Sequence, residues 1–115
     1  MKDPVTIYHN PRCSKSRQTL ALLEERGIEP NIVRYLDDPP DVDTLRELLG
    51  LLKLDARSLM RTKEARYREL GLDDADEDTL IRAMADNPVL IERPIVVTAR
   101  GAALGRPPEK VLDVL

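Results

Sequence analysis

Phenylalanine and tryptophan are absent from this sequence, and tyrosine occurs only three times. An aromatic platform on which nucleic-acid bases could stack is therefore poorly supplied. Cysteine occurs once, as Cys13. A single thiol cannot close an internal disulfide, which excludes a disulfide framework and points to a reducing compartment. Apolar runs of the ~20 residues needed to span a bilayer are missing, and Met1-Lys-Asp-Pro4 lacks the apolar core of a secretory signal. A cytoplasmic protein with no membrane partner is expected. An excess of basic charge is missing too: the net charge of −3 argues against nucleic acid as a partner.

What is present suits one domain. A chain of 115 residues can bury a core without staples. Its charges are unevenly spread. Acidic residues crowd into positions 37–47 and 73–78, whereas positive charge collects around Cys13, along 57–68 and through 93–106. The last of these segments contains no acid. Taken singly, each basic segment resembles a solvated face; taken together, the three could build an anion site.

The most informative stretch is Val5-Thr-Ile-Tyr-His-Asn-Pro-Arg-Cys-Ser-Lys-Ser-Arg17. Residues 5–8 have strong strand preference, Asn10-Pro11 breaks the run, and a helix is expected from Ser14 to a stop at Gly27, with Leu20 and Leu23 on its inner face. Cys13 thus falls where a loop becomes the first turn of a helix. Unpaired N–H groups and the positive end of the helix dipole favour a thiolate there. Arg12, Lys15 and Arg17 add positive charge, and no acid lies between Val5 and Leu23. A lone cysteine is commonly a small buried hydrophobe. Arg, Ser, Lys and Ser are poor company for a core position, and the pattern favours a nucleophile.

A second strand over residues 31–35 completes a β-α-β unit. Asp37-Asp-Pro-Pro40 is a turn. Helices are then expected over 42–54, 56–70 and 78–85, the last capped by Asp76 or Asp78, so that residues 41–87 form a helical insertion in a single domain spanning 1–115. Strand 94–98, a turn at Ala99-Arg-Gly101 and strand 102–104 read as an antiparallel hairpin. A final helix follows Arg106-Pro-Pro108, with Val111, Leu112 and Leu115 inward. The class is α/β, in the order β-α-β then β-β-α.

Several segments in register resemble one family, the arsenate reductases linked to glutathione and glutaredoxin. They are Tyr8-His-Asn-Pro-Arg-Cys13 with Ser16 and Arg17; Tyr35-Leu-Asp-Asp-Pro-Pro40; Leu59-Met-Arg-Thr62 with Tyr67 and Leu70-Gly-Leu72; Leu90-Ile-Glu-Arg-Pro-Ile-Val-Val97; and Gly105-Arg-Pro-Pro108 with Val111-Leu-Asp113. The resemblance implies a thioredoxin-like mixed sheet with a helical insertion and a cis bond before Pro94. It implies that Cys13 attacks arsenate, or a similar oxyanion, while Arg61, Arg93 and Arg106 hold it. Glutathione would be a co-substrate, glutaredoxin a partner that resolves the mixed disulfide, and no cofactor would be bound. Arginine suits the task because its planar fork donates two hydrogen bonds and stays charged.

His9, the only histidine, either supports the thiolate or closes a turn with Asn10. Ser16 either donates to the thiolate or satisfies a free backbone group near the helix start. Arg57, Arg66, Arg68 and Arg100 read as solvated surface. Typical arsenate reductases of that family carry a longer C-terminal tail than a chain ending at Leu115. The Arg12-Cys-Ser-Lys-Ser-Arg17 segment is more similar to the family's short, uncharacterised branch, where a different substrate is an alternative. A second alternative comes from redox-responsive regulators of the same fold family, which bind RNA polymerase and use a Cys-x-x-Cys pair. Here those positions hold Cys13 and Ser16, so the second thiol is lacking.

Overall fold

Strand preference at the start of the chain yields β1, Thr6–Tyr8, and the break at Asn10-Pro11 delivers the chain into α1, Ser14–Glu25. The structure, a computed structural model, describes residues 4–115. Helix α1 stops as expected, with Gly27 adopting a positive φ of 75° just beyond it. Its inner face carries Ser16, Thr19 and Leu23, with Leu20 half-buried beside them. Strand β2, Asn31–Val33, follows and pairs parallel with β1.

The contacts divide the chain into two compact units, Met1–Asp38 with Arg93–Leu115, and Pro39–Glu92. In the first unit, β3, Ile95–Thr98, pairs antiparallel with β1, and β4, Gly101–Leu104, pairs antiparallel with β3. The sheet order is β2-β1-β3-β4, the mixed arrangement of a thioredoxin-like fold. Its core is Ile7, Leu23, Val96 and Val111, with Leu20, Leu22, Ile28, Ala103, Val114 and Leu115 packed around them.

The closing segment differs from expectation. It is a 3-10 helix over Pro108–Val114. Three residues per turn place Pro108, Val111 and Val114 on one face. Pro108 and Val111 are buried and Val114 joins the core, whereas Leu112 is only half-buried.

The second unit holds the helices. Helix α2, Val42–Leu52, buries Leu45, Leu48 and Leu49; it ends two residues early because Lys53 turns left-handed at φ 58°. Where one helix was expected over 56–70, there are two short ones, α3, Ala56–Leu59, and α4, Ala65–Glu69. Between them Met60 is extended and bridges antiparallel to Ile91, with Arg61 N–H donating to Leu90 O and Glu92 N–H to Leu59 O, each at 2.8 Å. Burial of Met60 and Ile91 accompanies this long-range pairing, which local periodicity cannot register. Helix α5, Glu77–Asp86, packs Leu80, Ile81 and Met84 toward α2 and α3. Asp41, Asp55 and Asp76 cap α2, α3 and α5, each accepting from a backbone N–H at 2.8 Å, and those bonds hold all three carboxyls below their ordinary pKa.

Arg57 is not the solvated residue expected. It donates to Tyr67 Oη and to the carbonyls of Leu72 at 3.2 Å and Ala75 at 3.1 Å, tying α3 to the turn after α4. No helix among the described residues is long and apolar enough to cross a membrane.

Candidate active site

The loop between β1 and α1 is held by the helix it enters. Arg17 Nη1 reaches back to Pro11 O at 2.9 Å, and Ser16 Oγ accepts from Asn10 N–H at 3.0 Å. Asn10 Oδ1 accepts from Arg12 N–H at 3.0 Å, and Asn10 O from Cys13 N–H at 3.0 Å. Among the described residues the buried polar side chains are His9, Ser16 and Thr19, all in this loop and helix. Each has a partner, as burial of polar groups requires. His9 Nδ1 and Ser16 Oγ share a 2.6 Å hydrogen bond, and Thr19 Oγ1 donates to Lys15 O at 2.8 Å.

Cys13 is the N-cap of α1, with extended backbone at φ −92°, ψ 123°. Its sulfur closes no capping hydrogen bond, yet the first-turn N–H groups still act on it. Burial pushes the thiol pKa up. The Ser16 N–H, the Arg93 charge, the Lys15 N–H and the Arg106 charge oppose that and together leave it below its ordinary value. It is thus the main chain of Ser16 that favours the thiolate, while its hydroxyl is engaged with His9 and Asn10.

His9 behaves differently from a charged support. Burial, then Arg34 and Arg17, hold its pKa below the ordinary 6.5, so the imidazole is neutral at neutral pH. Its main-chain N–H donates to Val33 O at 2.8 Å, extending the β1–β2 pairing past Tyr8. A neutral His9 can order the loop and pass a hydrogen bond through Ser16; it supplies no positive charge to the sulfur.

The hairpin brings two of the predicted arginines together. Register pairs Ile95 with Leu104, so continuing outward sets Pro94 opposite Gly105 and Arg93 opposite Arg106. Gly105 N–H donates to Pro94 O at 2.9 Å, and Arg106 Nη1 donates to Arg93 O at 3.2 Å. The bonds before Pro94 and before Pro107 are both cis; the first was expected, the second was not. Gly105 is required by close approach: a Cβ there would sit 2.4 Å from Thr19 Oγ1 and 2.8 Å from Pro94 Cγ. The site end of the hairpin is thereby pressed against the helix that Cys13 caps. Arg61 belongs to the second unit, where it pairs with Glu64 at 2.6 Å.

Sequence reasoning did not single out Arg17 as the loop's clasp, Arg34 as a charge acting on His9, or the Thr19–Gly105 contact. Arg17 carried a signal, since it stands four residues after Cys13 and can reach back over the first turn. The other two depend on tertiary contacts. Among the described residues no group of three or more His, Cys, Asp or Glu is placed to hold a metal ion. A cysteine whose thiolate is favoured by helix N–H groups and two arginines can act as a nucleophile toward an anionic centre.

A family model described as the ArsC family matches residues 8–114. The chain is 57% identical over 118 residues to an uncharacterized Escherichia coli protein, YfgD, covering 100% of this chain and 99% of that protein. It is 54% identical over 114 residues to an arsenate reductase of Neisseria meningitidis, covering 96% and 97% respectively. A solved structure of an arsenate reductase from Vibrio cholerae superposes with a TM-score of 0.96 at 52% identity, covering 100% of both chains. The chain belongs to the ArsC family.

Proposed function

We propose that this protein reduces arsenate to arsenite through a covalent adduct on Cys13, with glutathione as co-substrate and glutaredoxin as the partner that restores the thiol. The observation that carries the reading is the convergence of the Ser16 and Lys15 N–H groups with Arg93 and Arg106 on one sulfur. A site that stabilises a thiolate with cations also attracts an oxyanion to that thiolate. The names of the relatives at 54% and 52% identity point to arsenate.

In the first step the Cys13 sulfur bonds to arsenic(V) and one arsenate oxygen leaves, protonated, as water. Glutathione sulfur then attacks the Cys13 sulfur. The S–As bond breaks, its electron pair stays on arsenic, and arsenite departs as the two thiols become a mixed disulfide. Arsenic gains two electrons and each sulfur gives one. Glutaredoxin, with further glutathione, reduces that disulfide. Arg93 and Arg106 would hold the oxyanion by their planar forks. Arg61 enters the proposal on the family resemblance alone. His9 and Ser16 would act by ordering the loop that presents Cys13. The cycle needs no bound cofactor, and its reducing partners suit the cytoplasm.

The test is arsenate-dependent NADPH oxidation coupled through glutathione reductase, glutathione and glutaredoxin. Activity in the natural protein and its loss in Cys13→Ser, with the fold retained, are expected. No arsenate-dependent turnover, or turnover that survives the substitution, would overturn the reading.

A further inference from the structure

We propose that Thr19 is a positioning residue for the nucleophile: its buried hydroxyl fixes and polarises a peptide unit whose N–H serves the Cys13 sulfur. This role presupposes the reading of Cys13 as the nucleophile, on which the proposed function also rests.

Thr19 Oγ1 donates to Lys15 O at 2.8 Å. A carbonyl and the N–H that follows it belong to one planar unit. The other end of the unit that Thr19 holds is therefore the Ser16 N–H. Cys13 is the N-cap of α1, and Ser16 is the third residue of that helix. An N-cap side chain meets the N–H groups of the second and third residues, so helix geometry aims this N–H at the sulfur. Of the groups that oppose the burial of the thiol, it acts most strongly.

The carbonyl does not need the hydroxyl to be satisfied. The helix already directs the Thr19 N–H to Lys15 O, four residues back. A second donor on the same oxygen draws electron density toward it and leaves the N–H at the far end more positive. Hydrogen bonds in a chain reinforce one another in this way, and more so in a dry interior. Thr19 is fully buried. Gly105 leaves the room it occupies, since a Cβ there would lie 2.4 Å from Oγ1 and 3.2 Å from Cγ2. Both arms of the side chain abut the hairpin, and only the hydroxyl reaches the helix carbonyl.

Two substitutions separate the arms. Thr19→Val keeps the shape and removes the hydroxyl, whereas Thr19→Ser keeps the hydroxyl and removes the methyl. The Arg93 and Arg106 charges that also act on the sulfur are intact in both. The pH midpoint of Cys13 alkylation by iodoacetamide is measured in each, the Ser16 amide proton is followed by NMR, and folding by chemical denaturation. Valine should raise the midpoint by about 0.3 units, the scale of a ~10–30% change in one charge-assisted bond. Alkylation below both midpoints then slows about twofold, and the Ser16 amide proton moves upfield. Serine should leave the midpoint and that proton near their natural values even though its lost packing lowers stability. A Thr19 that only packs would give the reverse order, with serine disturbing the site more than valine. A midpoint unmoved by valine, or moved as far by serine, overturns this role. Should Thr19→Val not fold, Thr19→Ala takes its place, since it differs from Thr19→Ser by the hydroxyl alone and is judged by the same criteria. None of these measurements uses arsenate. If the natural protein shows no arsenate turnover while valine raises the midpoint and serine does not, the proposed reaction fails and the role of Thr19 stands.

Discussion

Cys13, Arg93 and Arg106 separate charge from geometry. Both arginines lower the thiol pKa through their charge, and in the proposed reaction both hold an oxyanion through their forks. Lysine keeps the first contribution and loses the second. Arg93→Lys and Arg106→Lys should leave the pH midpoint of Cys13 alkylation near that of the natural protein yet lower kcat/KM for arsenate about tenfold or more, or ~1.4 kcal/mol. Glutamine at either position should shift the midpoint upward as well. Equal kinetic losses with lysine and glutamine, tracking the alkylation midpoint, would show that only charge matters. His9 gives a stability prediction. Its folded pKa lies below the ordinary 6.5, so as pH falls the unfolded chain takes up the proton first. Stability from the neutral imidazole is complete above pH ~6.5 and is lost as pH falls through the lower, folded pKa. Thermal melts between pH 7.5 and 5 should show the natural protein losing more Tm on acidification than His9→Gln. Parallel losses would mean that His9 is not held neutral.

At the scale of elements, the β3–β4 hairpin and α1 meet where Gly105 faces Thr19 and Pro94. Gly105→Ala would force a Cβ to 2.4 Å from Thr19 Oγ1, an overpacking that should cost ~1–3 kcal/mol in chemical denaturation. Thr19→Ala removes the nearer clash, so the double variant should recover part of that loss; strictly additive effects would show that the two sites do not meet. Much of this element was legible in advance. The strand reading of residues 94–98 and the Ala99-Arg-Gly101 turn predicted the hairpin, and it formed within a residue of the expected ends. The helix start at Ser14 was legible because Asn10-Pro11 cannot continue the strand. The contact of Gly105 with Thr19 was not, because it joins residues distant in sequence through the absence of a side chain. The polar inner face of α1 was also hidden. The sequence marks only Leu20 and Leu23 on that face, whereas Ser16 and Thr19 are buried there because His9 and the Lys15 carbonyl partner them.

At the scale of the whole molecule, the first unit follows the local signals closely and the second departs from them. Pattern merged α3 and α4 into one helix because residues 56–70 contain no glycine or proline, while the bridge between Met60 and Ile91 competes with helix through a partner far along the chain. The same blindness misplaced Arg57. A basic run on a long helix reads as solvated surface; with the helix broken, Arg57 turns inward to Tyr67 and two main-chain carbonyls. Arg57→Ala should therefore cost ~1–3 kcal/mol, since it leaves half-buried acceptors without their donor. Arg68→Ala removes a single exposed bond to Lys63 O and should stay within ~0.5 kcal/mol. Denaturation followed by hydrogen exchange locates the effect, and protection should fall within residues 39–92. The groups that set the Cys13 pKa, Ser16, Lys15, Arg93 and Arg106, all belong to the first unit. The alkylation midpoint of Cys13 should accordingly be unchanged in Arg57→Ala under native conditions. Loss of stability with an unmoved midpoint would show that Arg57 maintains its own unit while the thiolate is made entirely by the other. A shifted midpoint would require a determinant of the Cys13 thiolate beyond those four residues, and the nucleophile would then depend on both units rather than one.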